Sequence, residues 1–188
     1  MEANNSQLIK ISAINGVILG IALVIYSVIL FLLDIMPTGF LKPFFLLLLS
    51  LAIFIVGLVL AVKNVRNSLF KNEGLTYGQA FLIGTIIVIV AALISSIYSY
   101  IQSAIIDPGY MSRVLNAQKD WLIQFMQDKN VPADKIDAAV AKLDERLQNI
   151  NPLGSAIRSF IGFSIFGTIV SLIVAAALKK KVNPFGDQ

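Results

Sequence analysis

The stretch FFLLLLSLAIFIVGLVLAV, residues 44–62, decides the fold class. Fifteen of its 19 residues are Phe, Leu, Ile or Val, and no charge interrupts it. A helix needs about 20 mostly apolar residues to cross the hydrocarbon core of a bilayer. At about −0.3 to −0.6 kcal/mol per such residue, this segment gains about 5–9 kcal/mol on insertion. Working outward, residues 11–33, 79–101 and 157–178 have the same character. Four such helices in a chain of 188 residues leave too little polar surface to cover them in water. The composition agrees: 57% of residues are hydrophobic and 14% charged, against about 25% charged in soluble domains. The expected fold is all-α, with four transmembrane helices and an extracytoplasmic amphipathic helical hairpin between the third and fourth. Residues 1–188 form a single membrane domain, with the hairpin, 107–152, inserted in it. The first apolar run is longer than the h-region of a signal peptide. Asp34-Ile35-Met36-Pro37 after it is no small-residue cleavage site, so this span is expected to stay as an anchor.

Composition also excludes chemistry. The chain has no Cys, hence no disulfides or thiolates, and no His, the commonest general base and transition-metal ligand. A net charge of +4 without a basic patch carrying interleaved aromatics points to membrane orientation and away from nucleic acid. No nucleophile elbow, phosphate loop or dinucleotide fingerprint occurs. No catalytic, cofactor-binding or metal-ligating residue is expected.

Lysine and arginine set the orientation. Lys10, Lys63, Arg66, Lys71, Lys179, Lys180 and Lys181 fall on one side, with only Glu2, Glu73 and Asp187 against them. The other side carries eight basic residues balanced by eight acidic ones. The dense basic charge in short loops beside the span ends places both termini in the cytoplasm.

The third helix has a marked start and stop. Thr76-Tyr77-Gly78-Gln79 fits a capping box, in which Thr76 accepts from the Gln79 N–H and Gln79 reaches back. Pro108 disfavours helical geometry at the residue before it, so the helix is expected to end near Ile106. Asp107 can then cap a new helix with Pro108 at its first position. In the simplest reading Asp107-Pro108-Gly109-Tyr110 is a cap and corner. In the functional one, Asp107 presents a carboxylate at the membrane surface, and nothing close in sequence supplies a second ligand.

Two amphipathic helices follow, expected at about residues 108–129 and 132–149, folded antiparallel about Asn130-Val131-Pro132. Leu115, Leu122, Phe125 and Met126 of the first should face Ile136, Val140, Leu143 and Leu147 of the second, which recur at heptad-like steps. Alternatively, the first helix lies in the membrane interface, anchored by Tyr110, Trp121 and Phe125, or the seam pairs with a second copy. Asn151-Pro152 ends the hairpin.

No charge lies at mid-depth in a span. Asp34 and Arg158, at the outer edges of the first and fourth spans, can pair or each reach water by snorkelling. Gly16 and Gly20 form a G-x-x-x-G on the first span. Ala91, Ser95, Ser99 and Ser103 make a small-residue stripe on the third, and Gly167, Ser171 and Ala175 another on the fourth. Such residues let helices approach closely. Packing within the bundle is the simpler use, and homodimerisation through Gly16 and Gly20 or a polar path through Asn15 and the serines are the others. The tail Asn183-Pro184-Phe185 matches a short endocytic peptide motif, a three-residue match of no weight.

Several short motifs carry a resemblance. Gly78-Gln79-Ala80-Phe81 and Gly84 open the third span. Tyr98-Ser99-Tyr100-Ile101 and Asp107-Pro108-Gly109-Tyr110 follow, then a polar amphipathic segment and a last span ending in lysines. The chain resembles, over nearly its whole length, a bacterial family of small four-span membrane proteins known as a domain of unknown function, number forty-one ninety-nine. The resemblance implies a bacterial inner membrane and a shared architecture; it carries over no catalytic or ligand residue.

The expected function is that of a non-enzymatic multi-pass membrane protein. Its extracytoplasmic hairpin would contact another copy, an envelope protein or the lipid surface, with no cofactor. A channel or small-solute transporter, the first alternative, needs a water-accessible path along Asn15, Ser95 and Ser99. A membrane enzyme acting on lipid, the second, needs a pocket where Asp34 or Asp107 meets another carboxylate or Arg158.

Overall fold

The computed structural model describes residues 2–70 and 74–179, with side chains from Asn5 onward. Lys71 and Glu73 of the second loop, Lys180, Lys181, Asp187 and the tail tripeptide lie outside the described residues. Every element within them is helical: α1 (Glu2–Leu32), α2 (Leu41–Leu69), α3 (Tyr77–Ile101) continued by a π-helical turn (Gln102–Ile106), α4 (Tyr110–Asp128), α5 (Ala133–Gln148) and α6 (Pro152–Leu178). Four of these, α1, α2, α3 with its π-turn, and α6, are long and apolar enough to cross a membrane. They cover the four spans expected from sequence, except that α1 stops one residue short at Leu32, and overrun them at most ends, because helical backbone continues into the polar flanks.

The outward face is apolar. Ile157, Ile161, Ile165, Ile169 and Ile173 make an exposed stripe along α6, and Ile14, Ile18, Ile21, Ile25 and Ile29 another on α1. Surface of this kind is stable against lipid chains and not against water.

Packing runs chiefly between α3 and α6 and between α1 and α3. Small residues bring these helices together. A Cβ on Gly16 would stand 2.7 Å from Val90 Cβ, and one on Gly20 2.9 Å from Ile94 Cβ. Gly84 faces Ser171, and Gly167 faces Val88 and Phe54. The glycine pair of α1 therefore packs on α3 within one chain, the simpler use expected for it.

Burial along the bundle is uneven. In α2 the buried residues are Phe54, Leu58, Ala61, Val62 and Val65; in α3 they run from Ala80 to Ala92; in α6 they are Ala156 and then Gly167 to Leu178. In α1 they fall between Leu8 and Gly20. All but Ala156 belong to the middle or to the half nearest the chain termini. Phe70 and Leu75 of the second loop close that end. The half nearest α4 and α5 is not filled in this way.

The expected start and stop of α3 are both present. Thr76 Oγ1 accepts from Gln79 N at 3.3 Å, and Thr76 N donates to Gln79 Oε1 at 3.0 Å. The last turn is π-helical, closed by Asp107 N donating to Gln102 O at 2.8 Å. Two proline positions need correction. Pro108 precedes α4, whose first residue is Tyr110 with Gly109 at the cap, because Tyr110 N closes a turn onto Asp107 O before the helix begins. Pro132 caps α5, and Ala133 is its first residue. Asn151 does more than end the hairpin. Its side chain accepts from Gly154 N at 3.0 Å and caps α6, with Pro152 at the first position.

Helices α4 and α5 pack on each other, and Lys119 Nζ donates to Asp144 Oδ1 at 2.6 Å across the pair. That register fits an antiparallel turn at residues 129–132. The seam is thinner than expected. Ile136, Val140, Leu143 and Leu147 are only half-buried, and α5 has no buried residue. Among the described residues α4 is the one helix that packs substantially on α5.

Candidate functional site

Helix α4 is held on the bundle by aromatic contacts with the end of α1 and the α1–α2 loop. Tyr110 meets Phe31 edge-on at 5.5 Å between centroids, and Phe40 meets Trp121 at 4.7 Å and Phe125 at 5.3 Å. Gly39, with φ of +79°, lies flat under the Trp121 indole, where a Cβ would come within 3.3 Å of its nitrogen. Gln118 donates to the Pro37 carbonyl at 3.3 Å. Tyr110 thus packs on the last turn of α1, and Trp121 and Phe125 pack on Phe40 of the loop.

The Asp107 corner is an ion-pair site. Arg113 donates through both terminal nitrogens to the two Asp107 oxygens, Nη1 to Oδ1 at 3.1 Å. The Arg113 hydrogen bond, helped by the backbone N–H groups of Gly109 and Tyr110, holds the Asp107 carboxyl below the usual carboxylate range. Burial pushes the Tyr110 phenol up, and the nearby Asp34 charge adds to this. Asp34 also raises Arg113 further. Asp34, Asp107, Tyr110 and Arg113 are thereby gathered in one corner. Asp34 and Arg158 are not paired. Arg158 instead reaches Ser155 Oγ at 3.4 Å.

Two of the concavities at this end gather several polar side chains. The first is inside the bundle, where the close-packed core stops. A cavity of about 320 Å³ is lined from α1 by Ser27, from α2 by Ser50, from α3 by Ser95, Ser99 and Gln102, and from α6 by Ser159, with Leu23, Leu30 and Phe163 as apolar walls. A second lobe of about 230 Å³ shares Tyr26, Ser27, Leu30 and Gln102 and reaches Tyr110 under α4. No charged side chain lines either lobe. Gln102 is only 8% exposed. Ser95 Oγ is one of four buried hydroxyls without a hydrogen-bond partner among the described residues. The sequence stripe Ser95–Ser99 pointed at this cavity; Ser27, Ser50 and Ser159 join it only through tertiary structure.

The cavity does not continue through the protein. Asn15 lies in the sealed half, donating to Ile11 O at 2.8 Å and accepting from Asn64 at 3.0 Å. Leu58, Ile87 and Val88, all without exposure, belong to the core of that half. The arrangement is a cup, and Asn15 does not line it. Neither Asp34 nor Asp107 lines either lobe.

The second concavity is an open groove of about 690 Å³ between the hairpin and the start of α6. It is lined by Lys142, Arg146 and Arg158, with Glu145 the lone carboxylate and Met111, Leu115 and Ile150 as its apolar part. The remaining positions singled out from sequence, Thr76, Gln79, Gly16 and Gly20, build helix ends and contacts in the opposite half. Among the described residues no cluster of three or more carboxylates could hold a metal ion.

Comparison with curated proteins and with solved structures finds no match. A family model does match, over residues 14–180, from within α1 to just past the end of α6. That range takes in the hairpin, three of the membrane-capable helices whole and the larger part of α1, and the chain belongs to the family described as Protein of unknown function (DUF4199).

Proposed function

We propose that this is a non-enzymatic multi-pass protein of the bacterial inner membrane, with both termini cytoplasmic, whose extracytoplasmic hairpin docks an anionic phospholipid headgroup. The observation that carries the reading is the groove between α4, α5 and α6. Three basic side chains, Lys142, Arg146 and Arg158, converge on it with one opposing carboxylate, and Met111, Leu115 and Ile150 give it an apolar part. It sits at the first turns of α6, where the exposed apolar stripe begins at Leu153 and Ile157. That is the level of the headgroups, where a phosphate meets guanidinium groups and the adjoining glycerol meets apolar side chains. The charge of the groove also favours lipid over a second copy of this chain, whose matching surface would be equally basic.

The serine-lined cup favours neither alternative. It ends against packed core, so no path joins its serines to Asn15. Its hydroxyls have no neighbouring base, and the Asp34 and Asp107 carboxylates stand outside it.

The test uses the full chain in nanodiscs of phosphatidylcholine containing a minor share of phosphatidylglycerol, with the lipids retained by the protein read by native mass spectrometry. Phosphatidylglycerol should be enriched over its bulk share, and Arg146→Gln with Arg158→Gln should remove the enrichment. No enrichment, or enrichment untouched by the double change, overturns the reading. Loss of a dimer on the same double change, without a change in lipid, would make the groove a self-interface.

A further inference from the structure

We infer that the serine-lined cup in the hairpin half of the bundle is a binding site for an uncharged polyol group, either a free polyol or the headgroup of a neutral lipid. The cup is a place where the bundle gives up close packing, and what lines it is polar. Gln102 is more than nine-tenths buried and lines both lobes. Its amide offers two donors and an acceptor, and none is used by another group among the described residues. Ser95 Oγ is likewise buried and unpartnered.

A helical serine commonly turns its hydroxyl onto a backbone carbonyl. Ser68 and Ser103 do so at 2.8 Å, onto Asn64 O and Ser99 O. Ser50, Ser95, Ser99 and Ser159 do not, and they face the cavity from three helices. Ser27 comes from a fourth, where it meets the Tyr98 hydroxyl. The Gln102 amide, with Ser50, Ser99 and Ser159, thus lines one space of about 320 Å³, at the lower end of the size of small-molecule pockets.

The lining fixes the class of ligand. No charged side chain faces the space, so an ion would be held without a counter-charge in a medium of low dielectric. A purely apolar molecule would leave the Gln102 amide unpaired. Groups that both donate and accept, spaced a few ångströms apart, match the lining best, and hydroxyls on adjacent carbons have that pattern. The walls of Leu23, Leu30 and Phe163 suit the carbon skeleton of such a group.

The test uses the full chain in phosphatidylcholine nanodiscs, with tritiated 1-monooleoylglycerol as the lipid-borne polyol, tritiated oleate as the charged control of equal chain length, and free glucose followed by saturation-transfer NMR. Saturable binding of monooleoylglycerol at one per chain, at least tenfold tighter than oleate, supports a lipid source. Saturable glucose binding supports a free polyol. Gln102→Leu should weaken whichever ligand binds by tenfold or more, and Ser99→Leu, which fills the cup, should abolish it. Gly162→Ala, which meets nothing within 4 Å, should bind as the native chain does. Should Ser99→Leu not fold, Gln102→Leu decides alone, since it removes an unpaired buried amide and keeps the volume. Failure of both polyols to saturate, oleate binding as tightly as monooleoylglycerol, or native affinity in Gln102→Leu overturns the inference and leaves a cavity filled only by water. The phosphatidylglycerol measurement uses another site and other variants, so either proposal can fail alone.

Discussion

Replacing Gly16 by alanine adds one methyl group at the tightest point of the α1–α3 contact. Its Cβ would stand 2.7 Å from Val90 Cβ and 2.8 Å from the Ile87 carbonyl oxygen. Carbon atoms rest at about 3.5–4.0 Å, so α1 must retreat from α3 by about 0.8 Å or more. Neither obstacle is the loose end of a side chain. One is the first carbon of Val90 and the other is backbone, so Val90→Ala should not rescue the change. Overpacking of this kind costs about 1–3 kcal/mol, and the rigidity of both neighbours puts Gly16→Ala near the upper end. Two other glycines make a graded series. At Gly57 the new methyl meets only the Cδ1 terminus of Leu19, which can swing aside, so Gly57→Ala should cost under about 1.5 kcal/mol. At Gly162 nothing lies within 4 Å, so Gly162→Ala should stay within about 0.5 kcal/mol of the native chain. The assay is reversible unfolding in mixed micelles by titration with sodium dodecyl sulfate, followed by far-UV circular dichroism. Equal stability of Gly16→Ala and Gly162→Ala would refute the packing argument. Loss of a cross-linked dimer at unchanged stability would return Gly16 and Gly20 to an interface between copies.

Since the chain has no native cysteine, single cysteines report topology cleanly; an impermeant thiol reagent on intact cells should label Asn116→Cys and spare Ser68→Cys, and the reverse pattern would invert the orientation. The Asp107 carboxyl is depressed by Arg113, so the pair contributes fully above the ordinary carboxylate value of about 3.9 and fades as pH falls below it. The difference in thermal midpoint between the native chain and Asp107→Asn should therefore shrink below about pH 4, and a difference that is constant or grows there would show that the charge is not what matters at the corner. Leu143→Ala, at a half-buried seam position, should cost less than the roughly 2–5 kcal/mol of a fully buried leucine, with the loss appearing as faster proteolysis between α4 and α5; a full-sized loss would show that something else covers α5.

The membrane spans were legible because they rest on composition over some twenty residues, which tertiary context cannot reverse. The Thr76–Gln79 box was legible because both partners are three residues apart. What escaped was whatever depends on where helices sit. Arg113 was in plain view six residues from Asp107, but pairing them required α4 to start at Tyr110, which a turn across Pro108 and Gly109 decides. Tyr110, Trp121 and Phe125 read equally well as lipid anchors and as packing residues; only the return of the chain at Gly39 and Phe40 shows their partners. Ser95 and Ser99 could be read as a stripe, while Ser27, Ser50 and Ser159 are single polar residues on three other helices and carry no pattern. The π-turn that ends α3 at Gln102 has no marker in composition, since its residues are ordinary helix formers. The basic groove joins residues from α5 and α6 that sequence numbering assigns to opposite ends of a polar segment and a span.

The unequal filling of the bundle has a kinetic consequence. Residues that interlock near the termini, among them Leu58, Ile83, Ile87 and Ala175, form one cooperative block, and the hairpin half is tied to it through continuous helix, the aromatic contacts of Phe40 and Phe31, and the Gln118 hydrogen bond to Pro37. Opening of the hairpin half should therefore be a separate, lower-energy event that leaves the block intact. Backbone amides of α4 and α5 should exchange with solvent deuterium by this partial opening, while those between Ile83 and Ala91 wait for global unfolding. Anchorage and recognition are thereby assigned to different ends of the same four helices. A substitution among the cavity serines can alter what enters the cup without loosening the hold on the membrane.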